Sequence, residues 1–433
     1  MDAASRKTVV VLIFALILDL LAFTCILPLF PSIIDFYSAE NRKDSLYSFF
    51  DSAIRSIQNL ALIPNLTRYN NVLFGGLLGS IFSALQFISS PLLGALSDVY
   101  GRKPVLILSV CGTLVSYLVW SMSGTFTLFI ISRIIGGLSK ASVSVSIAIM
   151  ADIFPSAKRG IGMALIGLAF SVGFIVGPMF GAYFSTIAPS KHGIDELFST
   201  PAHFAIALTI VELFLLTFVL QETLTAPKMK IENLLNNSRS YLNPWALFAF
   251  SALEERQSKQ ALKVIRAYGL VYFIYLFLFS GLEFTLSFFT HLRFGYDSMQ
   301  QGRMYLFTGL IMVLIQVAEF GIFATVLSYL MISISQKELI FYTGLFLYAI
   351  ASSTVVPCIN SSILVLANDS DKGVTTGIFR SLGSLARALG PIVASTLFWV
   401  VGPTFCYAVG GVALVLPLVL LRKVPQAQEK KEK

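Results

Sequence analysis

From residue 9 almost to its C-terminus the chain is a succession of apolar runs, most of them long enough to cross a bilayer, separated by short polar joins. About 20 consecutive apolar residues span a hydrocarbon core as a helix. Only 12% of the 433 residues are charged, roughly half the share of an ordinary soluble domain. That is too few polar residues to cover a water-facing surface of this size. A cytosolic enzyme, a nucleic-acid-binding domain and a disordered chain are excluded. The expectation is an all-α polytopic membrane protein with twelve transmembrane helices.

We place spans at residues 9–34, 72–93, 104–122, 126–154, 160–184, 204–220, 268–289, 304–316, 320–334, 339–366, 374–401 and 405–421. Arg6-Lys7, Arg102-Lys103, Lys158-Arg159, the basic segment 221–266 and the tail from Arg422 all fall on one side of this topology. Basic residues collect in cytoplasmic loops, so both termini are expected in the cytoplasm. The net charge of +8 then reports topology rather than nucleic-acid affinity. The implied organisation is a six-helix half (1–220), a central cytoplasmic segment (221–266), a second six-helix half (267–421) and a cytoplasmic tail (422–433). Cys25, Cys111, Cys358 and Cys406 all lie in apolar runs and read as small buried hydrophobes. No Cys/His cluster suggests a metal, and no cofactor motif is present.

Residues 304–334 carry one charge, Glu319. As a single helix they would be about 46 Å long, well beyond a bilayer core of about 30 Å. A single span would also put the basic tail on the wrong side, so we count two truncated spans, eight and nine. An internal repeat supports a deletion. Arg159-Gly160 with Gly177-Pro178 recurs as Lys372-Gly373 with Gly390-Pro391 at an offset of 213, whereas Leu21-Ala22-Phe23-Thr24 recurs as Leu282-Glu283-Phe284-Thr285 at 261. The long loop after span one accounts for part of the difference. The rest is missing between spans eight and eleven, as in a splice or gene-model variant.

Spans two and three are joined by Gly94-Ala95-Leu96-Ser97-Asp98-Val99-Tyr100-Gly101-Arg102-Lys103-Pro104. Gly94 allows close helix approach, Gly101 suits a tight turn, and Asp98 can accept from a neighbouring helix start or from Arg102. This resembles the loop signature of the major facilitator superfamily. In span five, Gly173-Phe174-Ile175-Val176-Gly177-Pro178-Met179-Phe180-Gly181 resembles the antiporter motif of its drug:proton exchangers; simple helix packing is the plainer alternative for that stripe. Asp19-Leu20-Leu21-Ala22-Phe23-Thr24, Tyr69-Asn70-Asn71-Val72-Leu73-Phe74-Gly75-Gly76 and Phe279-Ser280-Gly281-Leu282-Glu283-Phe284-Thr285 resemble tetracycline-transporter-like members of the same superfamily. The resemblance implies a major facilitator fold and export of small organic anions or amphipathic drugs. The short join after span eight departs from it and removes the second-half counterpart of the loop signature.

Asp19 falls about 18 Å along the first helix from Lys7, near mid-membrane, where a carboxylate is costly and normally faces a cavity or a partner. Arg133 in span four needs a partner for the same reason. By resemblance, Asp19 and Arg133 form a proton-coupling pair, with Glu283 in span seven a further candidate; a structural salt bridge is the alternative. Arg387 and Arg380 are seven apart and share a helix face. Arg387, the deeper, is a candidate to meet an anionic substrate, and Lys140 and Glu212 are further cavity candidates, a packed, protonated group against other helices being the alternative for Glu212; Arg380 has loop residues Asp369 or Asp371 as alternative partners. Asp152 at the end of span four is expected to pair with Arg102 as a cytoplasmic gate contact.

Leu46, Phe49, Phe50, Ala53, Ile54, Ile57 and Leu60 recur at helical spacing, so the first external loop is expected to hold a surface helix lying on the bilayer. Asn65-Leu66-Thr67 is the one sequon outside a span on the non-cytoplasmic side; Asn236 and Asn368 begin cytoplasmic ones. The reading is a monomeric secondary active transporter, proton-coupled, working by alternating access. Its partners are a small organic anion or drug, the proton and the lipid bilayer, with no nucleic acid. A membrane scaffold that kept the fold, or an inactive variant of the transporter, is the alternative. An enzyme is disfavoured because no nucleophile–base pair or metal motif is present.

Overall fold

The computed structural model describes residues 3–61, 67–155, 159–187, 195–224, 243–254, 257–314, 321–366 and 372–424. All regular structure among them is helical. In chain order the helices are α1 (Ala3–Thr24), α2 (Phe30–Ser38), α3 (Ser45–Ala61), α4 (Thr67–Tyr100), α5 (Arg102–Ser121), α6 (Phe126–Ser139), α7 (Ser142–Ile153), α8 (Arg159–Ile187) and α9 (Asp195–Phe214). They continue as the short α10 (Pro244–Ala249), then α11 (Lys259–Phe294), α12 (Ser298–Leu314), α13 (Gly321–Ile334), α14 (Glu338–Leu366), α15 (Lys372–Ala413) and α16 (Val415–Lys423). Eight helical stretches among the described residues are long and apolar enough to cross a membrane.

Local chemistry sets several ends. Pro28 and Pro31 start new helical segments after α1, where their missing N–H groups cost nothing. Thr125 and Ser258 cap α6 and α11 by accepting from Leu128 N and Ala261 N. Gly101 separates α4 from α5 with φ 106, and Gly402 breaks α15 with φ 80, both conformations that a side chain disfavours. That break lies between the eleventh and twelfth expected spans.

Helix α8 lies between α1 and α12, and α4 lies along α15. One apolar core draws residues from the whole chain, including Ile26, Phe74 and Trp120 as well as Phe289, Tyr329 and Tyr407. A second, formed by residues such as Leu12, Val110, Ile149 and Leu216, contains no buried residue beyond Leu220. The two parts of the chain share the first core, whereas the second belongs to the first part alone.

Four expectations need correction. Span four is not continuous: it breaks at Lys140–Ala141 between α6 and α7. Helix α3 forms as expected, but much of its apolar face is spent on protein rather than lipid. Tyr47 stacks on Phe74 with ring centres 4.7 Å apart and meets Phe126 edge-on, leaving Phe49 exposed. Cys111 is exposed, while Cys25 and Cys406 are buried. Where spans eight and nine were expected, α12 starts six residues early, at Ser298, and α13 runs from Gly321. Residues 315–320, with Glu319, lie outside the described residues, as do Asn65, Asn236, Asn368, Asp369 and Asp371.

Candidate functional site

The break in span four is built by Ser109 of α5. Its hydroxyl donates to Ser139 O at 2.6 Å and accepts from Ala141 N at 3.1 Å, replacing bonds a continuous helix would make. This frees Lys140 to turn inward and opens a second helix N-terminus at Ser142. Both meet Asp19 of α1. Lys140 Nζ lies 2.5 Å from Asp19 Oδ1, and Ser142 Oγ donates to Asp19 Oδ2 at 2.6 Å. Asp19 is 2% exposed and Lys140 4%, so the pair is enclosed; Lys140 Nζ also lies 4.9 Å from the Phe23 ring centre.

Asp19 and Arg133, expected to pair, do not. Arg133 is buried against the faces of Trp120 and Phe129, and its Nε donates to the neighbouring Ser132 Oγ at 3.3 Å. The α6–α7 break gives Asp19 a nearer cation, one that a continuous helix would aim elsewhere. Around this pair three buried polar atoms have no hydrogen-bond partner among the described residues: Arg133 Nη2, Tyr117 Oη and Glu212 Oε2. Glu212 of α9 is within electrostatic range of both Asp19 and Lys140, and Tyr117 of α5 is within range of Asp19, Arg133 and Glu212. Buried unpaired polar atoms are rare in native structures and call for water or a ligand.

Glu283 of α11 accepts from Tyr348 Oη at 2.5 Å. Arg387 of α15 is exposed and within electrostatic range of Glu283 and Tyr272. Arg380 donates to Ser144 Oγ of α7 at 3.4 Å, so it reaches across to the first part of the chain; its expected partners Asp369 and Asp371 are not described.

At the terminus side, Arg102 is 3% exposed and sits between three acceptors. Its Nη2 lies 2.6 Å from Asp98 Oδ1, its Nε 2.9 Å from Asp152 Oδ2, and its Nη1 donates to Ser97 at 2.7 Å. The expected Arg102–Asp152 contact is therefore present. Sequence reasoning missed Glu222, whose carboxylate accepts from Arg102 N at 3.0 Å and Lys103 N at 2.9 Å. A carboxylate on the first amides of α5 satisfies orphan donors, and an acid closely following span six was the available signal. Lys103 Nζ donates to Thr217 O at 2.8 Å. Gly94 makes no close approach here: a Cβ on it would meet nothing within 4 Å. Gly173, Gly177 and Gly181 do, lying against Leu20, Thr24 and Cys25 of α1, and Thr24 Oγ1 donates to Gly173 O at 2.8 Å. The stripe around Pro178 thus packs α8 on α1.

The end away from the termini is closed by contacts between the two parts of the chain. His291 Nε2 lies 2.8 Å from Asp35 Oδ2, Trp399 Nε1 donates to Asn70 Oδ1 at 2.8 Å, and Ser32 and Ser298 hydroxyls are 3.4 Å apart.

A model of the Major Facilitator Superfamily matches residues 12–319. The chain is 40% identical to major facilitator superfamily domain-containing protein 10 of Mus musculus over 447 residues, covering 99% of this chain and 95% of that relative. It is 23% identical to the class B tetracycline resistance protein of Escherichia coli over 387 residues, covering 82% of this chain and 88% of that one. The crystal structure of the human organic anion transporter MFSD10 matches with a TM-score of 0.77 at 39% identity, covering 97% of this chain and 100% of that chain. A D-xylose–proton symporter, at 15% identity, a TM-score of 0.69 and coverage of 98% and 99%, shares the fold.

Proposed function

This chain belongs to the Major Facilitator Superfamily, and from that premise we propose that it is a secondary active transporter. It moves small organic anions or amphipathic drugs across its membrane by alternating access, outward in the sense its sequence resemblance implies, with the proton as coupling ion. The enclosed Asp19–Lys140 pair carries this reading. A carboxylate and an ammonium buried together at mid-span, beside a broken helix and unpaired polar atoms, are expensive to bury. Intramembrane groups of this kind mark ion and substrate pathways. Glu283, Arg133, Glu212 and Arg387 are proposed as the remaining polar lining, with Arg387 facing the anion.

In the proposed topology the chain crosses the membrane twelve times as halves 1–220 and 267–421, joined by 221–266, with both termini cytoplasmic and α12 and α13 as short crossings eight and nine. The closed end is then external, and the structure is an inward-facing state of a monomer. Arg102 with Asp98, Asp152 and Glu222 forms the cytoplasmic gate of the first half. The names of the relatives support transport over a scaffold.

The test is uptake of a fluorescent organic anion into liposomes holding the purified chain, under an imposed pH gradient. Gradient-dependent uptake that is reduced in Arg387→Ala and loses its dependence on the gradient in Asp19→Asn is the expected result. Uptake appearing only when a longer join is inserted between Gln316 and Phe320 would make this chain an inactive variant. No uptake from either form would overturn the proposal.

A further inference from the structure

We propose that an organic carboxylate binds by replacing Asp19 on Lys140 Nζ and Ser142 Oγ, so that one proton is taken up by Asp19 for each anion bound. This rests on the transport reading above and specifies its site.

In the structure Asp19 occupies the position an anionic ligand would take. One carboxylate oxygen faces the ammonium and the other the Ser142 hydroxyl, at the N-terminus of α7, where the helix dipole favours negative charge. The α6–α7 break holds both donors in place without Asp19, because Ser109 supports the break through backbone groups alone. The unpaired Arg133 Nη2, Tyr117 Oη and Glu212 Oε2 give the surrounding space polar capacity that no described residue uses.

Charge then sets the linkage. Lys140 is the cation paired with Asp19. A second carboxylate entering while Asp19 stays ionised would set two negative charges against the one ammonium of Lys140. With Asp19 protonated, the incoming carboxylate restores the one-to-one balance, and the neutral acid can donate to it. Glu212 from α9 and Tyr117 from α5 face the pair, and Arg133 from α6 lies within range of Tyr117. Helix α8 carries only Arg159 and Tyr183, near its two ends. Among the described residues, Glu212 is therefore the competing proton acceptor. By linkage, proton and anion raise each other's affinity by the same factor.

The experiment measures binding of tritiated 1-naphthoate to purified full-length protein between about pH 5.5 and pH 8, a range in which an aromatic carboxylate stays ionised, with proton uptake read in parallel in weak buffer. Affinity should tighten by up to about tenfold per pH unit of acidification, with protons taken up on binding. Asp19→Asn should bind at least as tightly, without pH dependence or proton uptake. Lys140→Ala should lose binding, while Glu212→Gln should keep the pH dependence. Proton release on binding, or pH dependence that survives Asp19→Asn, overturns the inference and leaves the transport reading intact. Saturable naphthoate binding unaltered in Lys140→Ala moves the anion site elsewhere and also overturns it. Absence of binding to wild type and Asp19→Asn at every pH overturns the organic-anion reading as well.

Discussion

Trp399 of α15 donates its indole N–H to Asn70 Oδ1 of α4 at 2.8 Å, and the same oxygen accepts from Gln58 Nε2 of α3 at 2.9 Å. One amide oxygen thus ties the loop helix to both parts of the chain at the closed end. In Trp399→Phe the ring volume is largely kept and the donor lost. A buried hydrogen bond contributes about 1 kcal/mol net, so the population of the closed-end conformation should fall roughly fivefold relative to the alternative. Spin-label distances between α4 and α15 across this end, compared in wild type and Trp399→Phe, would show it. An unchanged distance distribution would assign the bond no role in the equilibrium.

Gly181 and Gly167 lie on the same helix in opposite surroundings. A Cβ on Gly181 would run into the Cys25 backbone carbonyl of α1, which cannot rotate away, whereas a Cβ on Gly167 meets nothing within 4 Å. Gly181→Ala should cost about 1–3 kcal/mol or more through overpacking. Gly167→Ala should be neutral or stabilise by up to about 1 kcal/mol. Thermal unfolding of the two purified variants provides the comparison; equal melting temperatures would refute the packing role of the stripe.

Arg102 is held by two carboxylates and a hydroxyl while almost fully buried. Arg102→Lys keeps the charge and loses the fork that reaches Asp98 and Asp152 together. Removing one partner from a buried ion pair costs about 3–5 kcal/mol, so Asp152→Asn should destabilise strongly and Arg102→Lys somewhat less. Asp98, more exposed, should matter least. Melting temperature of the purified variants is the readout, and the order Asp152→Asn, Arg102→Lys, Asp98→Asn from most to least harmful is the expected result.

Asp44 lies before α3, outside the spans. Partial burial raises its carboxyl, but amide bonds from Tyr47 N at 2.8 Å and Thr127 N at 2.7 Å outweigh this and hold it below the ordinary 3.8. A group depressed on folding contributes stability above its unfolded pKa and loses it as pH falls through its folded one. The docking of α3 should therefore hold at neutral pH and loosen only in acid, below about pH 4. Hydrogen exchange of α3 amides should accelerate there. Asp44→Ala should exchange fast at neutral pH as well, by the loss of a cap worth about 1 kcal/mol.

The α3 helix was legible because its apolar spacing is strong, as were the Gly101 turn and the contact from Arg102 to Asp152. Arg133 misled because the family resemblance supplies an acid in span one and an arginine in span four but not the rotation of either helix. Which cation faces Asp19 depends on helix rotation, and Ser109 changes that rotation locally. No Pro stands at Lys140; the Gly136-Gly137 pair one turn before it, with Ser139 and Ser142, is the available sign of an interruption. Glu222 was passed over because its partners are backbone amides, which have no sequence identity.

Apolar run length, the placement of Arg and Lys, and the motif around Asp98 and Arg102 by themselves determined a helical membrane protein of a recognisable family. Burial in lipid restricts the backbone so tightly that composition alone selects helices. Only the tertiary structure decided that Asp19 pairs with Lys140, that span four is two half-helices, and that the closed end lies away from the termini. Those are outcomes of side-chain distance and helix rotation, set by contacts between residues from 30 to more than 300 positions apart.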